Sequence, residues 1–416
     1  MNLSCEFIFK IKEFLILKNI LIVTERRADY SKFRPIIKEI EKSKKLDYRL
    51  VVTGSHLLNE YGKTIDQIKN DKFKISFKFH MYPKNYKNTN AQMVRAFAKS
   101  VSEISKIVEK VKPDIILAGF DIGANLAASI VGAHMNIIVA HLEGGEISGT
   151  IDDSIRHATT KFSHIHFVTN NDAAKRVIRM GENPKFVYQV GNPSLDGIKK
   201  YKKIPKTFLK EKLDIDFLKP YVIILQHTVT SEIETVDKNI KTTIDAIKEI
   251  GIQSILIYGN ADAGSKKISK IKKNSKIKQF SALSFDEYIN LLKNSSALVG
   301  NSSSGIMEAP YLKIPSINIG SRQNGRLRSP SVIDVKYDKN QIKKAVLKAI
   351  NNKKFQEKIK KSSNLYGDGN ASKKIVKILE RINIQKIPVQ KKMRYWFEHN
   401  NIWRDRISWN SINQIT

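Results

Sequence analysis

A rhythm runs along this chain and leaves few folds open to it. NILIVT (19–24) is apolar and β-branched, as a strand buried on both faces must be; ERRADYSKFRPIIKEI follows, with Phe33, Ile36, Ile37 and Ile40 on one helical face. The plan repeats through RLVVTGSHLL, a strand over 73–80 and a long amphipathic helix over 91–112 stopped by Pro113. DIILAGFD, a small-residue helix over 123–134, a strand over 136–140, HIHFVT, a helix over 172–180 and FVYQVGNPSLD complete a first series. A second comprises YVIILQHTVT, SILIYGNADAG, the helix SFDEYINLLKNSS, ALVGNSSSGIMEAPYL and SINIGSRQNGR. Strands alternating with helices predict an α/β fold with parallel, doubly wound sheets. Ligands of such sheets bind outside the carboxyl ends of the strands. Arg27, His56, Asp121, His141 and Glu143 all fall at those ends.

At 416 residues the chain exceeds one ordinary core, so two domains are expected. The pattern divides it into an extension (1–17), a first domain (18–196), a charged linker with a short helix (197–219), a second domain (220–365), a helix (366–382) and a tail (383–416). The tail is basic, then aromatic, and holds Trp396, Trp403 and Trp409. A formal charge of +33 and a pI near 9.9 invite a nucleic-acid or anionic-membrane partner. The lysines are spread along solvated helix faces such as IKEIEKSKK, with no arginine-rich stretch, so neither partner is expected. Such a positive field attracts an anionic small substrate. Cys5 is the one cysteine, which excludes an intramolecular disulfide and a cysteine metal cluster and fits a reducing, cytoplasmic compartment. No run has the length of a membrane span, and the first 17 residues lack the basic start and cleavage site of a signal peptide.

The chemistry concentrates in two turns. VAHLEGGEISGTIDDSIRHATTKF (139–162) runs from a strand through three glycines into a helix and carries His141, Glu143, Glu146, Asp152 and Asp153. Carboxylates and a histidine where a buried strand ends suit proton transfer; an ordinary βα loop with a capped helix is the plainer alternative. GNSSSGIM (300–307) places serine hydroxyls and backbone N–H groups at a helix start, where phosphate oxygens bind well. It lacks a Walker lysine, and no GxGxxG occurs, so ATPase and dinucleotide readings lose support. Glu308, further along that helix, is placed to take the hydroxyls of a ribose, His227 to contact a diphosphate, and Arg27, Arg322 and Arg326 to clamp phosphate. His157, His164 and His166 do not have the spacing of a metal cage, and no metal is expected.

Together RADYSKF, GSHL, HLEGGEISGTIDDSIRHA, QHTVT, NADAGSK, GNSSSGIMEA, INIGSRQNGR and YGDGNA resemble the hydrolysing UDP-N-acetylglucosamine 2-epimerases of sialic and legionaminic acid pathways, from about Lys18 to Ile382. The resemblance implies two Rossmann-like domains with a cleft between them, as in B-type glycosyltransferases, and a last helix returning to the first domain. It implies UDP on the second domain at Ser302, Ser303 and Glu308, with His227 near the diphosphate, and Arg27 and Asp29 facing the cleft from the first. His56, His141 and Arg322 join the expected substrate-binding set, and Asp121, Glu143 and Asp152 are the implied catalytic acids. The implied reaction converts UDP-N-acetylglucosamine to N-acetylmannosamine and UDP through a glycal, without metal or nicotinamide cofactor, in a homo-oligomer. One departure bears on the sugar: many relatives carry GDR where this chain has GFDIG, so Asp121 is kept but Ile122 replaces an arginine. A UDP-linked 2,4-diacetamido-2,4,6-trideoxy sugar therefore stands as the alternative substrate. A non-hydrolysing epimerase, a B-type glycosyltransferase and, from another class, a basic RNA- or membrane-binding protein complete the alternatives.

Overall fold

The computed structural model describes residues 17–84, 87, 89–121, 123–258, 277–280, 283–397 and 402–404; residues 1–16, Ile122, the NADAGSK run and Trp409 lie outside them. Seven strands come first: β1 (Lys18–Thr24), β2 (Leu46–Val52), β3 (Ile75–Lys78), β4 (Ile115–Gly119), β5 (Ile138–Leu142), β6 (Ile165–Val168) and β7 (Val187–Gln189). They form one parallel sheet in the order β3-β2-β1-β4-β5-β6-β7. β8 (Tyr221–Leu225), β9 (Gln253–Ile257), β10 (Lys278–Phe280), β11 (Ala297–Gly300), β12 (Ser316–Ile319) and β13 (Val332–Val335) form a second parallel sheet, β10-β9-β8-β11-β12-β13. Both sheets reverse direction of build beside their first strand, between β1 and β4 and between β8 and β11, the places where open α/β sheets leave a crevice.

The unbroken apolar runs follow from burial on both faces. In β1, Ile20 and Ile22 enter a core with Phe33, Ile36 and Ile37 of the helix Arg27–Ile40. Leu21 and Val23 point the other way, into a core with Ile104 and Val108 of the helix Asn90–Val111 and Ala124, Ala127 and Ala128 of the helix Gly123–His134. The small-residue helix lets its backbone lie close to the sheet: a Cβ on Gly132 would come within 2.5 Å of Val139.

The expected linker is more than a connection. Its helix Lys206–Leu213 sends Leu209 and Leu213, with Ile215 behind them, into the core beneath β8 and β9. The last long helix, Ala371–Arg381, returns to the first domain, where Ile375, Val376 and Leu379 complete the core around β1. Lys18 Nζ caps that helix by donating to the carbonyls of Leu379, Glu380 and Ile382 at 2.9, 3.1 and 2.6 Å. The chain thus crosses between domains twice, and the crossings clasp. Asn192 N donates to Tyr366 O at 2.7 Å, and Asp196 accepts from the N–H groups of Ala371 and Ser372 at 2.9 and 2.6 Å. A Cβ on Gly367 would sit 2.9 Å from Gly191 Cα, so the two backbones touch only because both residues are glycine. In the tail, Tyr395–Phe397 pairs antiparallel with Ile402–Arg404, which sets Trp396 opposite Trp403 in backbone register.

Candidate active site

A cavity of about 360 Å³ lies between the domains, at the carboxyl ends of β1, β4, β8 and β11. Arg27, Asp121 and Asp152 line it from the first domain; His227, Ser302, Ser303, Glu308 and Arg322 line it from the second. The structure therefore brings these eight expected site residues, together with Asp29 and Arg326, to one space.

Asp121 leaves the end of β4 just after Phe120, whose φ of +71° turns the chain sharply. Its carboxylate meets the guanidinium of Arg156 at 2.8 Å. Burial alone would raise the Asp121 carboxyl, but Arg156, with Arg26, Lys32 and Arg326 further off, holds it well below the usual carboxylate range. Arg156, 1% exposed, also donates to Asp153 Oδ1 at 2.9 Å and to Glu146 O at 3.0 Å. It lies one turn beyond Asp152 in the helix Asp152–Phe162, so one helix supplies a cleft carboxylate and the cation that keeps a second one ionised.

Asp152 Oδ2 stands 3.6 Å from Arg322 Nη2, an ion pair that spans the cleft. The same region joins the domains through backbone: Gly149 N donates to Arg322 O at 3.3 Å, and a Cβ on Gly149 would lie 2.2 Å from Ser321 O. On the second domain Asn301 is the hinge of the arrangement. Its side chain accepts from His227 N at 2.7 Å and donates to His227 O at 3.0 Å, while its carbonyl accepts from Arg322 Nη1 at 3.2 Å and Gln323 Nε2 at 2.9 Å. The serine turn follows directly; Ser302 Oγ accepts from Ser304 N at 3.3 Å and Tyr288 OH meets Ser304 Oγ at 2.5 Å, at the start of the helix Ser304–Tyr311. Ser302, Ser303 and Arg322 line the cavity together at this helix start, groups whose chemistry suits an anionic ligand.

Three expected site residues, His56, His141 and Glu143, lie outside the cavity lining, and Asp29 lines it with its carboxylate already engaged. His56 is fully buried away from the cavity, its ring nitrogens 3.0 Å from Thr24 Oγ1 and 2.7 Å from Thr64 Oγ1; burial pushes its pKa down to about 3. It braces two loops rather than a ligand. His141 is likewise buried, against Thr160 Oγ1 at 3.1 Å, and burial, then His166 and Arg156, pushes it well below the ordinary histidine value. Asp29 contributes to the cavity wall, but its fully buried carboxylate is taken up by Glu25 N, Arg26 N and Thr24 Oγ1 at 2.8–3.0 Å. Burial pushes that carboxyl up to about 7 against the pull of the two N–H groups. Asp29 thus shapes the turn that presents Arg26 and Arg27. Glu143, with a φ of +61° and 2% exposed, lies behind Lys32, which it holds at 2.7 Å; Lys32, over the Phe120 ring at 4.4 Å, is the one of the two that lines the cavity.

Sequence reasoning missed Lys32, Arg156, Tyr288 and Asn301. Arg156 had a legible signal, since an arginine three residues after Asp153 and four after Asp152 shares their helix face. Lys32 had none, because its partner is 111 residues away.

A family model described as UDP-N-acetylglucosamine 2-epimerase matches residues 38–380. A UDP-N,N'-diacetylbacillosamine 2-epimerase (hydrolyzing) of Legionella pneumophila is 35% identical over 88% of this chain and 97% of its own length. A UDP-N-acetylglucosamine 2-epimerase of Neisseria meningitidis is 34% identical over 82% of this chain and 89% of its own. Among solved structures, UDP-GlcNAc 2-epimerase of Neisseria meningitidis bound to UDP-GlcNAc superposes with a TM-score of 0.76 at 20% identity, covering 88% of this chain and all of that one; it shows the two-domain fold. With the family match spanning most of the chain, the sheets and their cleft agree: this protein belongs to the UDP-N-acetylglucosamine 2-epimerase family.

Proposed function

We propose that the protein is a hydrolysing 2-epimerase of a UDP-linked 2-acetamido sugar. The observation that carries this reading is the pair of cleft carboxylates, Asp121 and Asp152, facing the serine turn, His227 and Arg322 across one cavity. A base removes the proton at sugar C2; the C2–H bonding pair forms the C1–C2 double bond as the C1–O bond breaks, and UDP leaves with the electron pair of that C1–O bond. Water then adds its hydroxyl to C1, and C2 takes a proton on the opposite face. The net reaction consumes one water and yields UDP and the free sugar inverted at C2. Two carboxyl groups at one cleft supply the base and the acid. Arg322, His227, Ser302 and Ser303 hold the leaving diphosphate, Glu308 the ribose, and Lys32 and Arg27 add positive charge where UDP departs. Glu143 acts through Lys32.

Of the two sugars, the 2,4-diacetamido-2,4,6-trideoxy compound comes first. Two relatives at 35% identity, from Legionella pneumophila and Campylobacter jejuni, carry diacetylbacillosamine in their names. UDP-N-acetylglucosamine is the second reading, favoured by the Neisseria meningitidis relative at 34%. The test is to incubate the protein with each UDP-sugar in D₂O and follow products by NMR. Free UDP with a 2-epimeric sugar deuterated at C2 is expected. A product still attached to UDP would make the protein a non-hydrolysing epimerase.

A further inference from the structure

The residues after the last helix run back along the first domain, beyond the 38–380 span of the family match. Ile387 enters the first core, Val389 O lies 3.0 Å from His164 Nε2, and Arg394 N donates to Gly181 O at 3.1 Å. Between these anchors Lys391 reaches inward. Its ammonium donates to Ser163 O at 2.5 Å, Lys161 O at 2.8 Å and, at longer range, Thr160 O at 3.3 Å. These are carbonyls at the carboxyl end of the helix Asp152–Phe162 and at its cap Ser163, where the chain runs out of intrahelical donors; Thr160 O also accepts from Ser163 N at 3.1 Å. A cation at that end also meets the negative pole of the helix dipole. The counter-ion is Glu182 Oε2 at 2.7 Å, in a carboxylate 2% exposed that Lys161 and His166 also hold.

The clamped helix is the one that bears Asp152 at its first residue and Arg156 one turn further on. Its last full turn carries a second link to the cleft: Thr160 Oγ1 meets His141 Nδ1 at 3.1 Å, two residues before Glu143. A shift of this turn is therefore felt by the Asp152–Arg322 pair, by the Arg156–Asp121 pair and by the loop holding Glu143. We propose that Lys391 is a positioning residue of the cleft, fixing from the far side of the domain the helix that presents Asp152 and Arg156. It touches no substrate and works through that helix. The proposal deepens the epimerase reading and rests on it for its catalytic consequence.

The test uses the full chain with Lys391→Met, which keeps the stem and removes the charge, and Lys391→Arg, which restores donors and charge. Misplacing reacting groups by a fraction of an ångström from a distance costs about tenfold or more in rate. Lys391→Met is expected to lose about that much kcat with a smaller effect on KM and UDP affinity, because Arg322 is the one proposed diphosphate contact that pairs with this helix. Lys391→Arg is expected to recover most of the loss. Hydrogen exchange gives a readout independent of turnover: amides of residues 152–162 exchange faster in Lys391→Met, while those of 304–311 do not change. Glu182→Gln leaves the lysine but removes its counter-ion, and serves as the second variant should Lys391→Met fail to fold; the same changes in smaller measure are expected. Normal kcat, or normal protection of 152–162, in a folded variant overturns the proposal. A wild-type chain inactive on UDP-sugars would sink the functional reading, and the exchange comparison would still decide whether Lys391 fixes the helix.

Discussion

Asp121→Asn separates chemistry from scaffolding in this cleft. The asparagine keeps an oxygen in place to accept from Arg156 Nη2, now 2.8 Å from the carboxylate, and loses the charge. Breaking an isolated buried ion pair costs about 3–5 kcal/mol. Arg156 is not isolated, since Asp153 and the Glu146 carbonyl remain at 2.9 and 3.0 Å. The stability loss should therefore be about 1–2 kcal/mol, that of one weakened charge-assisted bond, and the melting temperature should fall by a few degrees at most. The rate should fall much further. A positioned acid or base contributes ~10²–10⁴-fold, which at ~1.36 kcal/mol per decade is about 2.7–5.4 kcal/mol of barrier. UDP affinity by calorimetry should hold, because the diphosphate contacts lie on the other domain. Following UDP release and C2 deuteration by NMR in D₂O measures the rate. A folded Asp121→Asn protein within about tenfold of the parent rate refutes the assignment. Glu143→Gln, which acts through Lys32, should lose less than Asp121→Asn; the reverse order would mean that Glu143 meets the sugar directly.

Glu308→Ala should weaken UDP by about 10- to 100-fold, the worth of charged hydrogen bonds to a ribose, without lowering stability; unchanged calorimetry removes Glu308 from the site. Gly149→Ala should force the 149 loop from Ser321 O, at a cost of about 1–3 kcal/mol, and lower kcat by spoiling the contact between domains; a variant with parent melting temperature and rate would show that the contact is dispensable. Glu182 gives a pH prediction. Burial opposes its ionisation, but His166, Lys391 and Lys161 hold its carboxyl down at about 2, below the ordinary 4.5. Between those values the unfolded chain binds more protons, so the stabilisation is complete above pH 4.5 and lost as pH falls through about 2. The stability deficit of Glu182→Gln should be full at neutral pH and shrink over that window; a deficit that does not change with pH would rule out the charge as its source.

The alternation of strand and helix was readable residue by residue, because a strand covered on both faces must be apolar throughout, as Ile20 to Val23 are. The strand ends, the serine turn and the carboxylate-bearing loop were readable too, since their glycines, serines and acids break the pattern locally. Sequence could not decide which way a side chain turns once the strand has ended. His56 and Asp121 both follow strands, yet one closes on Thr24 and Thr64 and the other opens on the cleft. The linker helix read only as part of a charged connection, because two buried leucines four apart are a weak signal among lysines. The pairs that set the electrostatics were beyond reach: Lys32 with Glu143, Arg156 with Asp121, Arg322 with Asp152, Lys391 with Glu182. Periodicity and turns are local properties, written within a few residues of one another. Ion pairs between distant segments exist only after two sheets have packed, and packing decides which charges lose water together.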